Sequence, residues 1–93
     1  DGWNVPLLRN GEVIERPVDQ TTLTRRFTDA AVRFIGENRE RPFFLYFAHT
    51  FPHVPLFASP EFRGRSRRGI YGDTVEELDW SVGRVVDALD AAG

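Results

Sequence analysis

The hydrophobic and polar positions of the chain predict a hairpin, two amphipathic helices and one uninterrupted apolar strand. The hairpin is predicted over residues 5–16, where two short strands flank Asn10-Gly11. Asparagine followed by glycine supplies the positive φ angles that a type I′ turn requires. Pro6 and Pro17 limit the length of both strands and place them at a sheet edge.

The first amphipathic helix is predicted over residues 20–38, because apolar residues recur there at spacings of three and four. Asp19 or Thr21 can cap its N-terminus. The apolar positions are Leu23, Phe27, Ala30, Ala31, Phe34 and Ile35. Charged residues occupy the opposite side, so we expect a scaffolding helix with one face on the core.

The second amphipathic helix is predicted over residues 73–92. It begins at Asp73, and Thr74 and Glu77 have the spacing of a capping box. Its apolar stripe consists of Val75, Leu78, Val82, Val85, Val86 and Leu89. Asp79 falls beside this stripe, where a buried carboxylate would need a hydrogen-bond or charge partner.

Between the helices, residues 42–48 carry four aromatic rings and no charge. Because this run does not alternate, we predict a buried strand covered on both faces, as in a parallel sheet. Such a strand needs neighbours that the chain does not contain. A loop predicted over residues 49–72 follows it and holds both histidines, His49 and His53. An apolar strand that ends in titratable side chains is typical of active sites in α/β sheets. The alternative is a core strand followed by a connection with two incidental histidines.

The composition of the chain mainly excludes classes of partner and of site. The net charge of −2 indicates neither nucleic acid nor an anionic membrane as a partner. The absence of cysteine removes disulfides, zinc-thiolate sites and a cysteine nucleophile. No apolar run approaches the roughly 18 residues of a membrane span. The chain starts without methionine and stops where a helix is ending, so we expect it to be an excerpt.

A basic stretch over residues 63–68 carries four arginines. It is either a solvated loop or a cationic lip that attracts an anionic substrate. Histidine and arginine together suit sulfate or phosphate, because both donate charge-assisted hydrogen bonds to anions. The chain has no G-x-S-x-G elbow, Walker loop, H-E-x-x-H or EF-hand pattern.

Four motifs follow one another in a fixed order: RPFFLYFA at residues 41–48, HVPLF at 53–57, RGIYGD at 68–73 and EELD at 76–79. Together they resemble the arylsulfatase family of the alkaline-phosphatase-like superfamily. The resemblance implies an α/β fold in which this chain is a middle segment of the sheet domain. Its elements would be the N-terminal hairpin, a helix, the buried strand, the site loop and a helix.

In that family, the histidine of the H-x-P-x-F segment reaches the sulfate group and supports departure of the leaving oxygen. The matching position is His53, which is the one catalytic and substrate-binding residue that the resemblance assigns here. His49 lies outside the motif, and we expect it to end the strand or to support the site. Residues 68–73 and Asp79 match positions expected to form a tight turn, a helix cap and a buried carboxylate. Roles for Arg68 and Tyr71 stay unassigned.

The resemblance also implies Ca²⁺ and a formylglycine nucleophile for the intact enzyme, with neither supplied by this segment. The formylglycine motif C/S-x-P-x-R, the aspartates and Asp-Asn of the calcium site and the sulfate-flanking lysines have no match in the chain. We therefore expect no activity from the segment in isolation. A periplasmic, secreted or lysosomal location would suit the family, and the sequence does not choose among them.

Two alternatives stay open at this point. One is a phosphodiesterase or phosphonate hydrolase of the same superfamily. The other is a non-catalytic module that self-associates, because the open apolar edges of residues 42–48 invite pairing with another chain.

Overall fold

The computed structural model describes residues 4–93 and contains a hairpin followed by helices. The elements are β1 (Leu7–Arg9), β2 (Glu12–Glu15), a 3₁₀ turn (Gln20–Thr22), α1 (Leu23–Glu37) and α2 (Gly69–Ala92). β1 and β2 pair antiparallel, and Asn10 and Gly11 have φ angles of 53° and 85° at the turn between them. Both the hairpin prediction and the mixed α/β class are confirmed.

Helices α1 and α2 contact each other through a buried pair of hydroxyl side chains. Thr28 of α1 and Ser81 of α2 are both 0% exposed, and their hydroxyl oxygens lie 2.5 Å apart. One and two turns further along α1, Ala31 and Ile35 are also buried.

A second buried cluster lies beneath the hairpin and the loop that follows residue 48. Its centre is formed by Val18, Leu23 and Phe51, with Leu7, Phe27 and Phe57 packed around it. Phe51 belongs to the loop that carries both histidines, so the core of the segment holds that loop directly.

The predicted buried strand over residues 42–48 does not form in the described part of the chain. These residues make no strand ladder, since β1 and β2 pair only with each other. Phe44 and Tyr46 are 86% and 81% exposed, whereas Leu45 and Phe47 are half-buried over α1. One face is therefore lined by α1, and among residues 4–93 no strand pairs with this stretch.

Helix α2 begins at Gly69, four residues before the predicted start at Asp73. Gly69 has a φ of +70°, which lets the chain reverse at the helix entrance without a side-chain clash. Thr74 and Glu77 consequently lie inside the helix and do not form the predicted capping box. Thr74 donates instead to the carbonyl of Ile70 at 2.8 Å. The capping-box spacing was misleading because the helix already begins at Gly69.

Candidate functional site

His53 lies exposed at the end of a tight turn in the loop after residues 42–48. Its backbone N–H donates to the carbonyl of Thr50 at 3.3 Å, which closes the turn. Its ring atom Nδ1 lies 2.7 Å from the carbonyl oxygen of Val54. Because a carbonyl oxygen can only accept, Nδ1 must carry the proton, and Nε2 is left available. A neutral His53 can thus accept a proton at Nε2, and a protonated one can donate from Nε2 to an anion.

His49 is held by different groups. Its Nε2 lies 2.8 Å from Ser81 Oγ on α2, and its ring packs on Phe47 with centroids 4.2 Å apart. Burial lowers the pKa of His49 below its usual value, because the charged form loses hydration. Among residues 4–93, no hydrogen bond joins His49 to His53. The structure therefore ties His49 to α2 through Ser81, whereas the exposed ring of His53 bonds to the adjacent carbonyl of Val54.

Between the two histidines, Phe51 points into the core. It is 5% exposed and packs with Val18 and Leu23, and its ring lies 6.3 Å from that of Phe57. Full burial of such a side chain contributes about 1.5–3 kcal/mol. Phe51 therefore anchors the loop between the two histidines, which restricts the displacement of His53.

Two buried carboxylates on α2 organise the next part of the loop. Asp73 accepts from the backbone N–H groups of Gly64 and Ser66, at 2.7 and 2.8 Å. These hydrogen bonds hold the pKa of the Asp73 carboxyl below its usual value. One helical turn later, Glu77 Oε1 accepts from the N–H of Ser59 at 2.9 Å. The pair thus fastens residues 59–66 to the helix.

The prediction of a buried carboxylate at Asp79 is wrong, because Asp79 is exposed. The buried acids are Asp73 and Glu77, which are 3% and 2% exposed. With the helix starting at Gly69, Asp73, Glu77 and Ser81 recur every four residues and share one face. That spacing is present in the sequence and could have identified Asp73 and Glu77 as the buried pair. The capping-box interpretation instead assigned Glu77 to the N-terminus of the helix.

Known proteins resemble this chain over almost its whole length. The Sulfatase family profile matches residues 3–93. The chain belongs to the sulfatase family. The human steryl-sulfatase is 45% identical over 87 residues, covering 94% of this chain and 15% of that protein. The human arylsulfatase H is 42% identical over 88 residues, covering 95% of this chain and 16% of that protein. The mouse N-acetylgalactosamine-6-sulfatase is 40% identical over 101 residues, covering 97% of this chain and 19% of that protein.

The sulfatase segment therefore spans about 15% to 19% of the length of these relatives. Within residues 4–93, no group of three or more His, Asp or Glu side chains is placed to hold a metal ion. The described side chains therefore do not fit a calcium site. Over the same residues, neither helix is both long and apolar enough to cross a membrane.

The arginine-rich loop of this sulfatase segment is exposed at all four of its guanidinium side chains: Arg63, Arg65, Arg67 and Arg68. Across the described residues, the ion pairs join Arg25 to Glu61 and Arg26 to Glu15, so neither uses this loop. Its backbone is nevertheless fixed by the Asp73 contacts. A fixed loop with exposed cations suits either a solvated surface or the lip of an anion site.

Proposed function

We propose that this chain is the part of a sulfatase that supplies a sulfate-contacting histidine, His53, to the hydrolysis of a sulfate ester. The observation that carries the proposal is the environment of His53 within a chain that belongs to the sulfatase family. Its Nδ1–H is engaged by the adjacent carbonyl, its side chain is exposed, and its turn is anchored by Phe51.

The chemistry follows from the available nitrogen. Cleavage of a sulfate ester builds negative charge on the leaving oxygen and on the sulfate oxygens. A protonated imidazole that donates from Nε2 stabilises this charge, and it can transfer the proton to the departing oxygen. The hydrogen bond from Nδ1–H to Val54 keeps the ring oriented in both protonation states, because that nitrogen never needs to release its proton.

The remaining machinery lies outside this segment under this proposal. Formylglycine and Ca²⁺, which the family resemblance implies, would supply the nucleophile and a positive charge from other parts of the intact enzyme. The segment in isolation would then bind the sulfate weakly and would not turn it over. Which sulfate ester is hydrolysed depends on residues beyond these 93.

The test is His53→Ala in the intact sulfatase. Loss of one charge-stabilising donor is expected to lower kcat by about 10²–10³ on an aryl sulfate. Thr50→Ala is the matched control, because its exposed side chain lies in the same turn and its carbonyl, which closes the turn, is retained. Near-normal turnover of His53→Ala would refute the assignment. Phosphate diesters and phosphonates, assayed beside the sulfate ester, test the alternative within the superfamily.

Self-association is the alternative for the isolated segment, supported by the exposed rings of Phe44 and Tyr46 on an unpaired stretch. Light scattering of the isolated chain separates the two cases. A monomer at high concentration contradicts self-association, and the intact sulfatase would then be the source of the missing strand neighbours.

A further inference from the structure

A buried polar path connects α1, α2 and the histidine loop. Thr28 Oγ1 lies 2.6 Å from the carbonyl oxygen of Thr24 and 2.5 Å from Ser81 Oγ. Ser81 Oγ in turn lies 2.8 Å from Nε2 of His49. Thr28 and Ser81 are 0% exposed, so their hydroxyl groups must find partners within the protein.

Counting protons along this path fixes the state of His49. Each hydroxyl has a single proton, and a backbone carbonyl can only accept. The proton of Thr28 therefore goes to Thr24, so Thr28 Oγ1 must accept from Ser81. With its own proton used, Ser81 can only accept from His49. His49 consequently carries its proton on Nε2.

His53 has the opposite tautomer. Its Nδ1–H donates to Val54, so the two imidazoles, four residues apart, are protonated on different nitrogens. The backbone between them is a closed turn, with the N–H of His53 donating to Thr50. His49 is thus fixed to α2 directly before this turn, and His53, at the end of the turn, has its Nε2 available.

We propose that His49 is a positioning residue for His53. The Thr28–Ser81 path fixes the tautomer of His49, and its bond to Ser81 holds the turn that aims His53 at the sulfate group. This inference rests on the proposed role of His53. The lowered pKa of His49 is consistent with it, since a neutral ring with its proton on Nε2 is all that the path requires.

The first experiment compares His49→Ala with His49→Gln in the intact sulfatase. Glutamine retains an N–H donor at the reach of Nε2, whereas alanine does not. Because loss of a positioning partner typically costs about 10–100-fold, we expect His49→Ala to lower kcat by that factor. The KM of both variants and the kcat of His49→Gln should stay within about threefold of the wild-type values. An unchanged kcat per folded molecule in His49→Ala would overturn the proposal, because a purely structural residue affects yield and stability only.

The second experiment observes the tautomer and does not depend on an alanine variant that folds. In ¹⁵N-histidine-labelled intact protein, His49 should show a protonated Nε2 and an unprotonated Nδ1. Thr28→Val removes the acceptor for the Ser81 proton, so Ser81 becomes able to donate to His49 Nε2. The variant should therefore populate the Nδ1–H form of His49. A wild-type His49 with its proton on Nδ1 would overturn the assignment.

The third experiment distinguishes failure of this proposal from failure of the proposed function. If His49 acts through His53, adding His49→Ala to His53→Ala should change kcat by no more than about threefold. A further loss comparable to that of the single variant would mean that His49 acts independently, which overturns the positioning role and leaves His53 in place. Normal turnover in His53→Ala alone would instead remove the proposed function.

Discussion

The contact between Glu77 and Ser59 fastens to α2 the segment that leads into the arginine-rich loop. Glu77 Oε1 accepts the Ser59 N–H at 2.9 Å, and the two residues are 2% and 4% exposed. Glu77→Ala leaves that buried amide without a partner. We predict that the variant opens the loop locally more often than the wild type does.

The expected loss of local stability in Glu77→Ala is the cost of leaving the Ser59 amide unpaired, less the burial cost of the carboxylate that is removed. A buried donor left unpaired costs about 1–3 kcal/mol. Loss of a fully paired buried charge can cost about 3–5 kcal/mol. Glu77 belongs at the lower figure, because its second oxygen, Oε2, has no hydrogen-bond partner among residues 4–93. Removing a half-satisfied carboxylate recovers part of its burial cost.

Limited trypsin digestion measures this opening directly, because residues 63–68 contain four arginines. When opening and closing are fast relative to cleavage, the cleavage rate tracks the population of the open loop. A loss of about 1–3 kcal/mol in local stability therefore predicts cleavage about 5- to 150-fold faster in this loop. Mass spectrometry assigns the cut sites in the intact protein.

Two variants serve as controls for this experiment. Glu76→Ala changes the neighbouring exposed acid and should leave the cleavage rate within about threefold of the wild-type rate. Glu77→Gln keeps an oxygen that can accept from Ser59, so its cleavage should be much slower than that of Glu77→Ala. Equal cleavage of Glu77→Ala and Glu76→Ala would refute the role given to this hydrogen bond.

Two further predictions concern the same loop. The pKa of Asp73 is lower in the folded than in the unfolded state, so the folded state binds fewer protons and Asp73 stabilises it at neutral pH. That stability should be lost as pH falls below about 4, and Asp73→Asn should be less stable at pH 7 but approach the wild type in acid. Denaturant midpoints measured against pH check this, and a stability gap independent of pH would contradict it. Gly72→Ala would place a Cβ 1.9 Å from Ser66 Oγ, so we expect a loss of about 1–3 kcal/mol in urea unfolding. Gly83→Ala, on the same helix with no atom within 4 Å, should gain about 0.5–1 kcal/mol, and similar effects of the two substitutions would contradict the close approach at Gly72.

Features that depend on neighbouring residues were readable from the sequence. Asn10-Gly11 defined the hairpin turn, because the positive φ angles are a property of those two residues. The spacing of apolar residues predicted both helices to within a few positions. His53 was singled out by its motif, and its side-chain partner proved to be the next residue, Val54.

Features that depend on distant residues were decided by the tertiary structure. The run over 42–48 has no strand ladder among residues 4–93, because a strand forms only with a hydrogen-bonded neighbour. Helix α2 starts at Gly69, and Asp73 and Glu77 accept hydrogen bonds from the preceding loop and not from the helix's own N-terminus. The path from Thr28 through Ser81 to His49 joins residues up to 53 positions apart. For α2 the apolar periodicity did not indicate the buried face: Val75, Val82, Val86 and Leu89 of the predicted stripe are exposed, whereas Asp73, Thr74, Glu77 and Ser81 are buried. Only the packing of the two helices decides which hydroxyl meets which ring.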